Sequence, residues 1–243
     1  MPIQVAYPHH HETGAAKSLS LATVRAVAAQ VRAQLPGIPG DRLALNAGDL
    51  AVAVGRIEAN RRRVSVVWYL AEDLYDEAGL PALGACQVEP DEPGIVYVLI
   101  NRRMTADRPE LAASTAAHEL GHVIFDVPAM LGQPGSRFRT ATTPATFDRA
   151  TFASERRANE FMGALLVPAA RLHTRLLAYA RCEGLRLTRA LNWGRPASPV
   201  LARGNPPEAV AGIIAALAGD FGVSDRFISV RLEQYGLIGG CAP

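Results

Sequence analysis

Apolar residues recur at helical spacing along much of the chain. Leu21, Val24, Val27, Ala28, Val31 and Leu35 share one side of a predicted helix over residues 20–34. Ser18 or Ser20 supplies its cap, and Pro36-Gly37 stops it. Val64, Val67, Trp68, Ala71, Leu74 and Tyr75 predict a second helix over residues 63–78, ended by Gly79 and then Pro81. A third is predicted over residues 107–125, where Ala113, Ala116, Ala117, Leu120, Val123 and Ile124 form an apolar face. Asp107-Arg-Pro-Glu110 has the spacing of a capping box with proline in the first turn. Residues 151–167, with Phe161, Met162, Leu165 and Leu166 on one side, predict a fourth helix that Pro168 closes, and residues 169–182 a fifth. Residues 208–221 and 225–234 form a helix-turn-helix-like pair, split at Gly222-Val-Ser224 with Ser224 as cap. Short strands are predicted at 83–88 and 95–100, joined through Pro90-Asp-Glu-Pro-Gly94. Residues 50–57 fit helix or strand equally.

The fold class expected is therefore α+β, mostly helical, with a small β-sheet. Residues 1–17 are polar and read as a flexible tail carrying His9, His10 and His11, able to take a metal adventitiously. Residues 18–182 are expected as one domain, 183–206 as an Arg/Gly/Pro-rich connection, and 207–243 as a C-terminal helical segment packed on the domain. Residues 127–150, rich in Pro, Gly, Ser and Thr, read as a long loop bordering a groove.

The 243 residues are 49% hydrophobic and 20% charged with net charge +2, so bulk charge calls for neither nucleic acid nor membrane. Cys86, Cys182 and Cys241 are odd in number and widely spaced, which suits a reducing compartment and a cytoplasmic location. No apolar run spans a bilayer, and Arg25 interrupts the segment nearest to a signal sequence.

Candidate chemistry centres on His118-Glu-Leu-Gly-His122. Positions i and i+4 lie on one helix face, so both imidazoles can reach one ion. Zinc suits two neutral imidazoles, a third protein ligand and a water; manganese is the alternative. Glu119 is placed to act as the catalytic base on that water. Glu155 is the expected third ligand, with Glu160 and Asp126 as competitors; Asp126 better suits support of a ligand histidine. His173 is weighed for a transition-state role against an ordinary structural one. Gly121 inside the helix costs roughly 1 kcal/mol against alanine, which makes sense where something packs closely on it. The strand at 95–100 can serve as a partner for an extended peptide or as a plain core strand.

His118–His122, followed by Glu155-x-x-Ala158-Asn159-x-Phe161 and Leu165-Leu-Val-Pro168, resembles the ImmA/IrrE family of bacterial zinc metallopeptidases. The ending from Phe221 to Ile238 is similar to the family's as well. The resemblance implies a zincin-like fold, His118, His122 and Glu155 as zinc ligands, Glu119 as general base, and Asn159 beside the third ligand. It also implies a cytoplasmic endopeptidase that cleaves a partner helix-turn-helix repressor in a stress or mobile-element response. The chain departs from the family at Asp126, where many relatives carry histidine, and at Arg157, where an acidic residue is frequent. No sensory module is expected after the peptidase part, so a signal is expected through metal supply, a partner or substrate availability. The alternative from another class is a DNA-binding or partner-binding regulator with a structural or vestigial metal. Its recognition helix, 223–234, carries only Arg226 and Arg231 beside Asp225 and Glu233, which is weak for phosphate neutralisation.

Overall fold

The computed structural model describes residues 2–39, 41–76, 78–92, 94–131, 138–139 and 149–239. It divides into two compact units, Met1–Leu165 and Leu166–Pro243. The class is α+β, with a mixed sheet in the first unit.

The first unit opens with β1 (Ile3–Val5), a strand inside the stretch expected as a tail. Ile3, Val5 and Tyr7 are buried, and β1 pairs in parallel with β2 (Arg56–Ala59). A three-residue strand leaves almost no periodic signal, and its partner lies about fifty residues away, which is why the pattern alone hides it. Helix α1 (Leu21–Ala33) starts where expected, with the Ser20 hydroxyl accepting from Thr23 N–H. The ambiguous stretch divides into α2 (Ala47–Ala53), opened by an Asn46/Asp49 capping box, and β2.

The helix expected over 63–78 is instead β3 (Arg62–Ala71), antiparallel to β2 and parallel to β5 (Ile95–Asn101). Val64 and Val66 are buried while Arg63 is exposed, a two-residue alternation that the 64/67/68/71 spacing masked. Valines and aromatics favour the pleated surface, and two neighbouring strands decide the contest. The 95–100 prediction holds as β5, and 83–88 as β4 (Gly84–Val88), antiparallel to it. With β6 (Phe138–Arg139), the sheet order is β1-β2-β3-β5-β4-β6. Thus β5 is flanked on both sides and cannot add a peptide strand.

Helix α3 (Arg102–Thr105) precedes α4 (Pro109–Phe125) closely. The capping box expected at Asp107 does not form: Arg108 is the N-cap, without a side-chain bond, because Asp107 lies in the tight link between the two helices. The apolar face of α4 is buried, and α4 packs on β4, β5 and α2. After α5 (Val127–Met130), most of the loop expected over 127–150 lies outside the described residues. Helix α6 (Arg149–Leu166) matches the fourth predicted helix.

The second unit holds α7 (Ala169–Cys182), β7 (Leu187–Asn192), β8 (Arg195–Leu201), α8 (Pro207–Phe221) and α9 (Asp225–Gln234). The stretch expected as a connection thus carries an antiparallel hairpin, with Trp193 and Gly194 at positive φ in its turn. Gly222, at φ 66°, ends α8, and the Ser224 hydroxyl caps α9 as expected. Arg231 is buried at 4% exposure with its guanidinium near the rings of Phe227 and Tyr235, so it serves packing in α9. No helix among the described residues is long and apolar enough to cross a membrane.

Candidate metal centre

One turn of α4 separates His118 from His122, and their rings stand 4.8 Å apart, edge to face. Their Nε2 atoms are 3.1 Å apart. Glu155, on α6, reaches both: Oε2 lies 3.3 Å from His118 Nε2, and Oε1 lies 3.3 Å from His122 Nε2. These three are the group among the described residues able to share an ion. A tetrahedral centre with bonds of about 2.0–2.1 Å spaces its ligand atoms about 3.3 Å apart. The donor set and its separations therefore fit a zinc-sized dication.

Gly121 makes this convergence available. A Cβ there would lie 2.9 Å from Ala158 Cα and 3.3 Å from Ala158 O, so the glycine lets α4 and α6 approach backbone to side. The close packing expected on Gly121 is present, and its partner stands three residues after Glu155.

Asp126 sits at the end of α4, outside the trio. Its Oδ2 accepts from His122 Nδ1 at 2.8 Å and from the Ser154 hydroxyl at 2.6 Å; Oδ1 accepts from Arg157 at 2.6 Å. With Nδ1–H committed to a carboxylate, His122 turns Nε2, the atom a metal-bound imidazole uses once it is neutral, towards His118 and Glu155. Asp126 and Arg157, two positions at which the chain departs from the resembled family, form an ion pair with each other. Sequence reasoning missed Ser154, although Ser154 and Arg157 flank Glu155 at helical spacing.

Burial opposes charge on His122, but the hydrogen bonds to Asp126 and Glu155 and the field of Glu119 prevail and push its pKa up to about 10. For Glu155, burial also opposes charge, yet the bonds from His118 and His122 hold its carboxyl down at about 2. Asp126, despite burial, is held below the usual carboxylate range by His122, Arg157 and Ser154. The cluster is built for positive charge between its carboxylates.

Glu119 is buried at 1% exposure beside this trio. Its nearest backbone neighbour of note is Gly84 of β4: a Cβ there would meet Thr115 Cγ2 at 2.5 Å and Glu119 Oε1 at 2.8 Å. Cys86, two residues on, is buried, and desolvation together with the fields of Glu119 and Asp126 pushes its thiol up, so it stays a neutral core group. Tyr7 OH donates to Ile124 O at 2.5 Å and ties the N-terminal strand segment to α4.

The remaining candidates sit elsewhere. Glu160 is buried and ion-paired with Arg25 at 2.5 Å, so it braces α6 against α1. Asn159 is exposed on α6. His173, in the second unit, donates from Nε2 to Pro199 O at 2.6 Å and joins α7 to β8.

Paired imidazoles from one helix and a carboxylate from another thus lie together as possible ligands of one metal ion. Residues 90–233 match the sequence model of the Peptidase_M78 family, the IrrE N-terminal-like domain, and the chain belongs to that family. Individually curated proteins give no match.

Proposed function

We propose that the protein is a zinc-dependent endopeptidase, with His118, His122 and Glu155 as ligands and Glu119 as catalytic base. The observation that carries this is the convergence of three side chains from two helices: the imidazole Nε2 atoms lie 3.1 Å apart, and each is 3.3 Å from one of the two Glu155 carboxylate oxygens. Bound there, zinc supplies Lewis acidity for a scissile carbonyl and lowers the pKa of a water to about 7.

The chain's own groups do the rest. Glu119 takes a proton from the attacking water and returns it to the leaving amine. Asp126 keeps His122 in the tautomer that leaves Nε2 free to bind.

The resemblance to ImmA/IrrE peptidases supports a helix-turn-helix repressor as substrate, cleaved in the cytoplasm during a stress or mobile-element response. Incubating zinc-loaded protein with the repressor encoded beside it should give discrete fragments, and Glu119→Gln should stop cleavage while still binding one zinc. Full turnover by Glu119→Gln would sink the base assignment.

A further inference from the structure

Away from the metal centre, a cavity of about 630 Å³ lies along β1 and the β2–β3 turn, within the size range of small-molecule sites. Its lining includes His9, His11, Asn60, Arg61, Arg62 and Glu58. None of these takes part in the chemistry proposed above.

Two arginines against one glutamate give this lining a positive surplus. Glu58, the acid in it, is ion-paired with Arg63 at 2.6 Å. Asn60 Oδ1 accepts from Tyr7 N–H at 3.0 Å, which fixes the orientation of the amide. The other end, Nδ2, is buried and has no partner. A locked, buried amide donor without an acceptor is destabilising unless something accepts from it.

The backbone points the same way. Asn60 and Arg61 form the two-residue β2–β3 turn with φ of 52° and 68°. Such turns favour Asn followed by Gly. Asn60 fits that rule, but Arg61 places a bulky cation in the left-handed region, where strain persists only when the surrounding structure holds it. Arg61 is exposed at the cavity, with two imidazoles near it, their rings 4.8 Å apart.

We infer that this cavity binds a small phosphate-bearing ligand, with the Arg61 guanidinium, the Asn60 amide and the imidazoles of His9 and His11 donating to its oxygens. A phosphate group offers several acceptors and two charges to a wall that has surplus donors and a single, already neutralised carboxylate.

The test is calorimetric titration of the zinc-loaded, full-length protein with pyrophosphate and ATP, and with citrate and adenosine as counter-ligands. Pyrophosphate or ATP should bind with Kd below about 1 mM, and citrate or adenosine at least about 10-fold more weakly. Arg61→Gly suits the left-handed turn, so its thermal midpoint should be unchanged or higher while phosphate affinity falls at least about 10-fold. Asn60→Asp keeps the acceptor for Tyr7 N–H but faces the ligand with a carboxylate, and should abolish binding. The proposal is overturned if neither phosphate compound binds up to about 10 mM. It is overturned equally if Arg61→Gly and Asn60→Asp bind as the parent does, or if citrate binds as tightly as pyrophosphate. Zinc titrated into metal-free aliquots of the same preparations reports on the metal centre separately.

Discussion

Replacing Gly121 by alanine tests how the site is assembled. Alanine is the better helix former by about 1 kcal/mol, so on propensity alone Gly121→Ala would stabilise α4. The new Cβ, however, would stand 2.9 Å from Ala158 Cα. Carbon atoms rest at about 3.5–4.0 Å, so α6 must retreat by about 0.6–1 Å. Overpacking of this kind costs about 1–3 kcal/mol, which leaves a net loss of about 0–2 kcal/mol and a fall in thermal midpoint of up to about 8 °C. Binding should suffer more than folding. Glu155 rides on α6 three residues before Ala158, and a metal site tolerates errors of only about 0.2 Å in its bonds. Zinc affinity, measured by competition with a chromophoric chelator, should fall at least about 10-fold while the circular dichroism of the metal-free protein is preserved. A Gly121→Ala variant that holds zinc as tightly as the parent would refute the argument that close approach of α4 and α6 sets the third ligand.

Other perturbations separate the parts of the site. Asp126→Asn removes the carboxylate that orients His122 and leaves Arg157 without its ion pair; zinc affinity should fall about 10–100-fold, read by the same competition. Gly84→Ala pushes a methyl at Thr115 and the Glu119 carboxylate; turnover should drop while zinc stoichiometry holds at one, read by single-turnover cleavage alongside metal analysis. Zinc binding at pH 7.5 should release between one and two protons, one from His122, which is pushed up to about 10 in the metal-free protein and must be neutral to bind, and most of another from a water whose pKa falls to about 7; calorimetry in buffers of different ionisation heat measures it. The same shift sets a stability window. His122 is raised above its ordinary value of 6.5, so its contribution to the metal-free fold is full below that pH and is lost as pH rises through about 10. Glu155 is depressed to about 2, so its contribution is present above its ordinary value of 4.5 and is lost as pH falls through about 2. Chemical denaturation of metal-free protein at pH 6, 8 and 10 should show the alkaline loss, and zinc should flatten it.

Much of this centre can be read from residue spacing. His118, Glu119 and His122 declare themselves because a helix repeats every 3.6 residues, and the α4 apolar face repeats with it. Gly121 could be flagged as a close contact, since its cost needed a reason. Glu155 was legible through its neighbours Ala158, Asn159 and Phe161 rather than through any local rule. What stayed hidden is tertiary. The Ser154 and Arg157 side chains meet Asp126 only after α6 has docked on α4. Gly84 reaches Glu119 across a strand-to-helix contact. Strand β3 was misread because Val64, Val67, Trp68 and Ala71 satisfy helical spacing, while the alternation of Val64 and Val66 gains meaning only from β2 and β5 beside it. The β7–β8 hairpin was concealed by Arg and Pro, although Asn192-Trp-Gly194 already held a turn signal.

The most direct measurement is the anomalous difference density of a zinc-soaked crystal at the zinc edge. A single peak should lie about 2.0–2.1 Å from Nε2 of both His118 and His122 and about 2.0–2.2 Å from a carboxylate oxygen of Glu155. Density elsewhere, or Glu155 turned away from a peak held by the imidazoles alone, would contradict the account.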